Sequence, residues 1–183
     1  MTKTSSPPPG AVAASWWRDL QPRPDGSGGD RAALARLRRA ATVAEAAAEP
    51  ATLDLCRRLG WDWRKLATAA VTASVLAHVR KDDPPLPVAR QLGPASGNGD
   101  AAMSWLRFRR LVQAETDDDR LTAFRRAVAL AGGRLNVSDL ARSLLDWNEW
   151  QRRRWLFVYH DAPAPVERST DPEGANDSKD DAP

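Results

Sequence analysis

Apolar residues recur along most of this chain at helical intervals, and no stretch alternates apolar and polar over a strand's length, so the pattern predicts helices throughout. A Ser/Pro-rich start over 1–10 is expected to be disordered, followed by a first short helix over 11–20 carrying Trp16 and Trp17. Residues 21–29 hold two prolines and three glycines and read as a loop. Asp30 then has the character of an N-cap. The helix it starts runs to about 41, with Leu34, Leu37 and Ala41 inward, Arg36 and Arg39 outward, and Arg38 nearer the buried edge. An alanine-rich stretch over 42–49 supplies a turn or two of helix. Pro50 opens the next helix and Gly60 ends it, with Leu53, Leu55 and Leu59 as apolar positions. Asp62 caps a long helix over 63–80, in which Leu66, Ala70, Ala73 and Ala77 suit close packing.

The largest break is 82–100, rich in Pro and Gly, with one helical turn at 88–92. It joins two helical halves, 11–81 and 101–161. The second half opens with a helix over 101–114, whose Trp105, Phe108 and Val112 fall within about 60° on a helical wheel while Arg107 and Arg110 lie roughly opposite. Asp117 to Asp119 favour the start of the next helix. That helix buries Leu121, Phe124 and Val128, sets Arg125 on the border and Arg126 outward, and ends at Gly132 and Gly133. Asn136 or Ser138 caps a helix that buries Val137, Leu140, Ala141 and Leu144 and presents Arg142 outward. The stretch 147–159 is apolar nearly all round apart from Arg152 to Arg154, which predicts burial on several sides. The polar, acidic 162–183 segment reads as a disordered tail. The fold class is all-α: one irregular helical bundle or two small packed sub-bundles.

Charge changes the picture from fold to partner. Residues 1–161 carry 25 Lys+Arg against 18 Asp+Glu, a net of +7, and residues 162–183 carry 2 against 6, a net of −4. A basic body with an acidic tail points to a polyanionic partner, although arginine used simply in place of lysine gives the same totals. The single cysteine, Cys56, excludes an intrachain disulfide and sits in a helical pattern as core. No run approaches the roughly 18 apolar residues of a membrane helix, and a cytoplasmic protein is expected.

Candidate chemistry is sparse. His78 and His160 stand alone, and neither lies beside Cys56 in a nucleophile motif. Asp117 to Asp119 diverge by about 100° per residue on a helix, which suits capping better than metal binding. Gly26 to Asp30 lacks the Lys-Ser/Thr ending of a phosphate loop. No catalytic set, metal site or cofactor is therefore expected. Trp105, Trp147, Trp150 and Trp155 follow helical spacing and read as core. Trp16, Trp17, Trp61 and Trp63 flank helix starts, where both packing and base stacking are open to them. The arginines carry the functional reading. They recur on successive helices beside a buried anchor, as in Leu37-Arg38-Arg39, Arg107 to Arg110, Phe124-Arg125-Arg126 and Leu140-Ala141-Arg142. Aligned into one stripe, such guanidinium groups hold phosphate oxygens without reading bases. A helical adaptor whose arginines meet acidic protein surfaces remains the alternative.

Several pieces, in order and spacing, carry a resemblance. They are Trp16-Trp17-Arg18, Gly29-Asp30-Arg31-Ala32 leading to Leu37-Arg38-Arg39, Trp105-Leu106-Arg107-Phe108-Arg109-Arg110-Leu111, Phe124-Arg125-Arg126-Ala127-Val128, Leu135-Asn136-Val137 to Asp146-Trp147, and Arg154-Trp155 to Tyr159. Over 16–161 the chain resembles the CasB family, the small subunit of the type I-E CRISPR Cascade surveillance complex. The resemblance implies a non-catalytic protein of two small helical bundles, present as a head-to-tail pair beside other Cascade subunits. It implies contacts with the backbones of crRNA and target DNA that stabilise the R-loop, while the guide RNA reads sequence. The basic residues it carries over are Arg39, Arg64 or Lys65, Arg107, Arg126 and Arg142, and the wheel adds Arg110. Gln113 stands where the family admits a further basic residue.

Overall fold

The computed structural model describes residues 7–23, 27–94 and 100–160. The expected disordered tail and residues 1–6 of the expected disordered start lie outside them. The first helix, α1 (Pro9–Leu20), begins earlier than expected, with Pro9 at the position where a missing N–H costs nothing. Gly10 is consequently a buried helical residue. Asp30 caps α2 (Arg31–Arg39), its Oδ1 accepting from the Ala33 N–H at 2.8 Å. The chain leaves the helix after Arg39, so the wheel no longer applies: Ala40 turns inward and Ala41 is exposed. Thr42 caps α3 (Val43–Ala47), and the Glu45 carboxylate reaches back to the Ala41 N–H at 2.7 Å, a capping-box arrangement shifted by one residue. The helix α4 (Pro50–Leu59) ends on Gly60 in the left-handed conformation, with Leu55 buried but Leu53 45% exposed.

The expected helix over 63–80 is shorter. A 3₁₀ turn, Trp63–Lys65, leads into α5 (Leu66–Leu76). Every residue of α5 from Ala69 to Leu76 is buried, not one face of it. Its two buried hydroxyls are satisfied, Thr72 donating to the Thr68 carbonyl at 2.8 Å and Ser74 to that of Leu37 at 2.7 Å. Small side chains make this encirclement possible, because neighbouring helices approach closely over Ala, Ser and Thr.

A two-residue strand β1 (Lys81–Asp82) pairs in parallel with β2 (Arg134–Leu135), Lys81 opposite Arg134 and Asp82 opposite Leu135. Between them lie α6 (Val88–Leu92), α7 (Trp105–Val112) and α8 (Asp117–Leu130), and after them α9 (Val137–Leu145) and α10 (Glu149–Tyr159). The single turn expected at 88–92 is α6, and its Val88, Ala89 and Leu92 are buried. Side chains staple this Pro/Gly-rich segment to the start of α9. Asp82 accepts from the Val137 N–H at 2.9 Å, Gln91 from the Asn136 N–H at 2.9 Å, and Asp139 from the Val88 N–H at 2.9 Å. Asn136, of the two expected caps, is the one that closes α9.

Helices from both sides of the segment share one contiguous core. Around α5 pack α3, α4, α8 and α9, and α1 lies along α9. That last contact depends on Gly10, where an added Cβ would lie 2.8 Å from the Ser138 carbonyl and 2.9 Å from the Arg142 Cβ. Trp16 and Trp17 are buried in it, their indole N–H groups donating to the carbonyls of Ala51 at 3.1 Å and Val79 at 3.3 Å. Base stacking by these two is thereby closed off. The last helix departs from expectation. α10 buries Gln151, Trp155, Val158 and Tyr159 on one side and leaves Trp150 55% and Phe157 54% exposed. Trp105 is likewise 42% exposed, so of the four tryptophans expected in the core Trp155 is fully buried and Trp147 partly. No described helix is long and apolar enough to cross a membrane.

Candidate nucleic-acid interface

Phe108 of α7 and Phe124 of α8 both converge on Trp155 of α10, with ring centroids 6.0 and 5.4 Å away. Tyr159 packs on Phe108 at 4.1 Å, and Trp147 meets Phe124 edge-on at 5.0 Å. This aromatic cluster fixes α7 and α8 relative to each other through a third helix. With each phenylalanine locked inward, the residues one or two positions away must point elsewhere. Arg107 and Arg110 flank Phe108, and Arg126 follows Phe124.

All three arginines line a single groove between α7 and α8, of about 880 Å³. Its floor is apolar, from Met103, Leu111, Ala123 and Leu130. The sequence reading missed this floor, whose one signal is Leu130 at the outer end of α8. Four residues join the two helices. Arg107, in the first turn of α7, and Arg126, in the latter half of α8, are both several residues along their helices from that connection. The acids that line the groove are Glu115, in the connection itself, and Asp119, in the first turn of α8. Asp119 is already engaged, its carboxylate accepting from the Thr116 hydroxyl at 2.7 Å. Among the described residues, Arg107, Arg110 and Arg126 have no ion pair or hydrogen-bond acceptor of their own.

The other expected residues lie elsewhere. Arg39 ends α2, two residues after Leu37, whose carbonyl accepts from Arg125 of α8 at 3.0 Å, and it too is exposed and unpaired among the described residues. Arg64 and Lys65 sit in the 3₁₀ turn at the opposite end of α5 from this contact. Arg64 pairs with Asp62 at 2.8 Å and lies over the Trp63 ring at 5.2 Å, and Lys65 lies over Trp61 at 5.8 Å. Trp63 itself is 77% exposed. Arg142 of α9 pairs with Asp139 at 2.8 Å beside the start of α1, and Arg154 shares that carboxylate at 3.2 Å. The structure thus gathers three of the candidates at one groove, leaves Arg39 on a helix tied to its wall, and engages Arg64 and Arg142 with local acids.

Of the groups that could serve covalent or acid–base chemistry, Cys56 is buried, His78 half-buried and His160 exposed. Burial pushes the Cys56 thiol up, away from the thiolate. Burial also pulls His78 below its ordinary value, against a bond from Nδ1 to the Ser74 carbonyl at 2.9 Å, and the charges of Arg125 and Arg38 lower it further. His160 meets the Trp105 ring at a tilt of 50°, with the centroids 4.7 Å apart.

In fold, the chain is similar to a chain of E. coli Cascade in the crystal structure of that complex bound to a PAM-containing dsDNA target. The TM-score is 0.58 at 22% identity, over 82% of this chain and 92% of that one. No curated protein matches by sequence at a significant level. The family model for the CRISPR-associated protein Cse2 matches residues 33–160, more than half of the chain and a span that holds the α7–α8 groove and every one of the candidate basic residues. The chain belongs to the Cse2 family, the CasB proteins of type I-E.

Proposed function

We propose that this protein is a non-catalytic small subunit of a type I-E Cascade complex that holds nucleic-acid backbone in the α7–α8 groove. Its partners in this reading are crRNA and target DNA, the other Cascade subunits and a second copy of itself. Its role is to steady the R-loop while the guide RNA pairs, in antiviral defence. The observation that carries it is the convergence of Arg107, Arg110 and Arg126, none of them neutralised, on one open groove. Guanidinium groups keep their charge and bind phosphate oxygens in a fork, and a groove without base-reading geometry is indifferent to sequence. The inward-facing Cys56 and His78 support a binding role rather than a catalytic one.

Fluorescence anisotropy with labelled oligonucleotides tests it. Affinity should be equal for unrelated sequences and fall steeply with salt. Arg39→Glu combined with Arg126→Glu should abolish binding while helicity and melting stay as in the parent. Binding that survives in that folded double variant would put the surface elsewhere. A chain with no affinity for DNA or RNA even at low salt would be a protein-interaction adaptor.

A further inference from the structure

The C-terminal end of α5 collects positive charge that the groove does not use. Arg38 of α2 donates from Nε to the Ala77 carbonyl at 2.6 Å. Arg125 of α8 donates to the Leu37 carbonyl at 3.0 Å and to the Ser74 hydroxyl, while its own Nε is buried without a partner. Arg80 follows α5 by one turn. Its aliphatic stem lies against Gly133, where an added Cβ would come within 3.2 Å of it, and its N–H donates to the Gly133 carbonyl at 2.8 Å. Arg38 and Arg80 are close enough for their charges to oppose one another, and His78 feels both Arg38 and Arg125. Among the described residues no carboxylate lies within 4.0 Å of any of the three guanidinium groups.

Helix capping accounts for only part of this. A helix C-terminus presents about half a negative charge and favours a cation beside it. Three arginines there leave an excess of about two and a half positive charges. Two of them, Arg38 and Arg80, are exposed, so the excess faces solvent. Burial and mutual repulsion lower the proton affinity of Arg38, and burial that of Arg125, which marks a site that gains from an anion.

We infer that Arg38 and Arg125, both near His78 at the end of α5, together with Arg80 near Arg38, form a second phosphate site, distinct from the α7–α8 groove, that takes one backbone phosphate of a bound nucleic acid. This rests on the nucleic-acid reading above and extends it across α2 and α8, next to the unpaired Arg39. His78 is the built-in reporter, because an anion held among the arginines offsets the charges that disfavour its protonation.

The test uses the full chain, single-stranded oligo-dT and inorganic phosphate. The imidazole of His78 is followed by NMR through a pH titration, with His160→Gln to assign it. Oligo-dT should move the His78 midpoint upward. Arg38→Gln with Arg80→Gln, two exposed positions, should cancel that movement and reduce the slope of log affinity against log salt by about 0.7, the value for one single-strand phosphate. If the double variant fails to fold, the His78 titration of the parent decides. Saturated oligo-dT binding with an unmoved His78 midpoint would mean that the arginines only cap α5. Movement with inorganic phosphate and none with oligo-dT would make this a free-phosphate site and overturn the backbone assignment. Loss of binding in a groove variant with no change in the Arg38/Arg80 variant would overturn this inference alone. No oligo-dT binding by the parent would overturn both readings.

Discussion

Neutralising the groove should flatten the salt dependence of nucleic-acid binding. In Arg107→Gln, Arg110→Gln, Arg126→Gln the three guanidinium groups are lost together, leaving the apolar floor and the acids near the connection. Each phosphate neutralised by a cation adds about 0.7 (single strand) to about 0.9 (duplex) to the slope of log affinity against log salt. Three contacts amount to a slope of about 2.1 to about 2.7. Over a fourfold rise from about 50 to about 200 mM salt, the parent should therefore lose roughly 20- to 40-fold more affinity than the variant. Anisotropy of a labelled oligonucleotide across a salt series reads this directly. Because the three side chains are without partners, the variant should keep its stability to within about 0.5 kcal/mol. Arg153→Gln, an exposed α10 residue paired with Glu149 at 3.1 Å, serves as a comparison that leaves the slope unaltered. Equal slopes in the parent and the folded triple variant would refute the argument, since the groove would then neutralise no phosphates.

Other expectations follow from packing and titration. Gly10→Val forces α1 away from α9, because the Ser138 carbonyl cannot yield the 2.8 Å position; urea denaturation should show a loss of about 1–3 kcal/mol. Trp16→Ala should cost about 3–5 kcal/mol in the same assay, whereas Trp63→Ala, at an exposed position, should stay within about 0.5 kcal/mol. The folded state holds His78 below the ordinary value of 6.5, chiefly by burial. On acidification the unfolded chain therefore takes up the proton first, and stability falls as pH drops through that value. Thermal melts of His78→Gln across the same range should show a shallower decline.

Local signals in the sequence located the helices well and their environments poorly. Asp30, Thr42, Pro50, Gly60 and Asn136 fix helix ends through bonds within a few residues, so their chemistry is legible without the fold. Burial is set by what lies opposite. Periodicity gave α5 a single packed stripe, yet its Ala/Ser/Thr composition lets four helices surround it. The reverse happened in α10, whose apolar composition predicted burial on several sides. No helix covers its outer face among the described residues, so Trp150 and Phe157 stay exposed. The β1–β2 pair is equally hidden from pattern reading, since two residues are too short to show an alternation.

The arginines divide along the same line. A wheel assigns a side chain to a face of its own helix and says nothing about where that face looks. Arg107, Arg110 and Arg126 meet because Phe108 and Phe124 share Trp155, a contact between residues far apart in sequence. The pairing of Arg142 with Asp139 and of Arg64 with Asp62 is local, three and two residues back, and was open to reading from the chain. An outward arginine with an acid two or three residues before it, on the same helix or at its cap, is held in place and partly neutralised. One whose helix supplies no such acid keeps its full charge for a partner. Among the basic residues expected from the sequence, the groove arginines and Arg39 are then the unpaired cations, and Arg64 and Arg142 must first release a carboxylate before they can take a phosphate. Single substitutions to Gln should therefore weaken oligonucleotide binding more at Arg107 or Arg126 than at Arg64 or Arg142. The reverse order would show that the exchange of acid for phosphate is easily made, and that pairing in the free protein is no guide to the bound one.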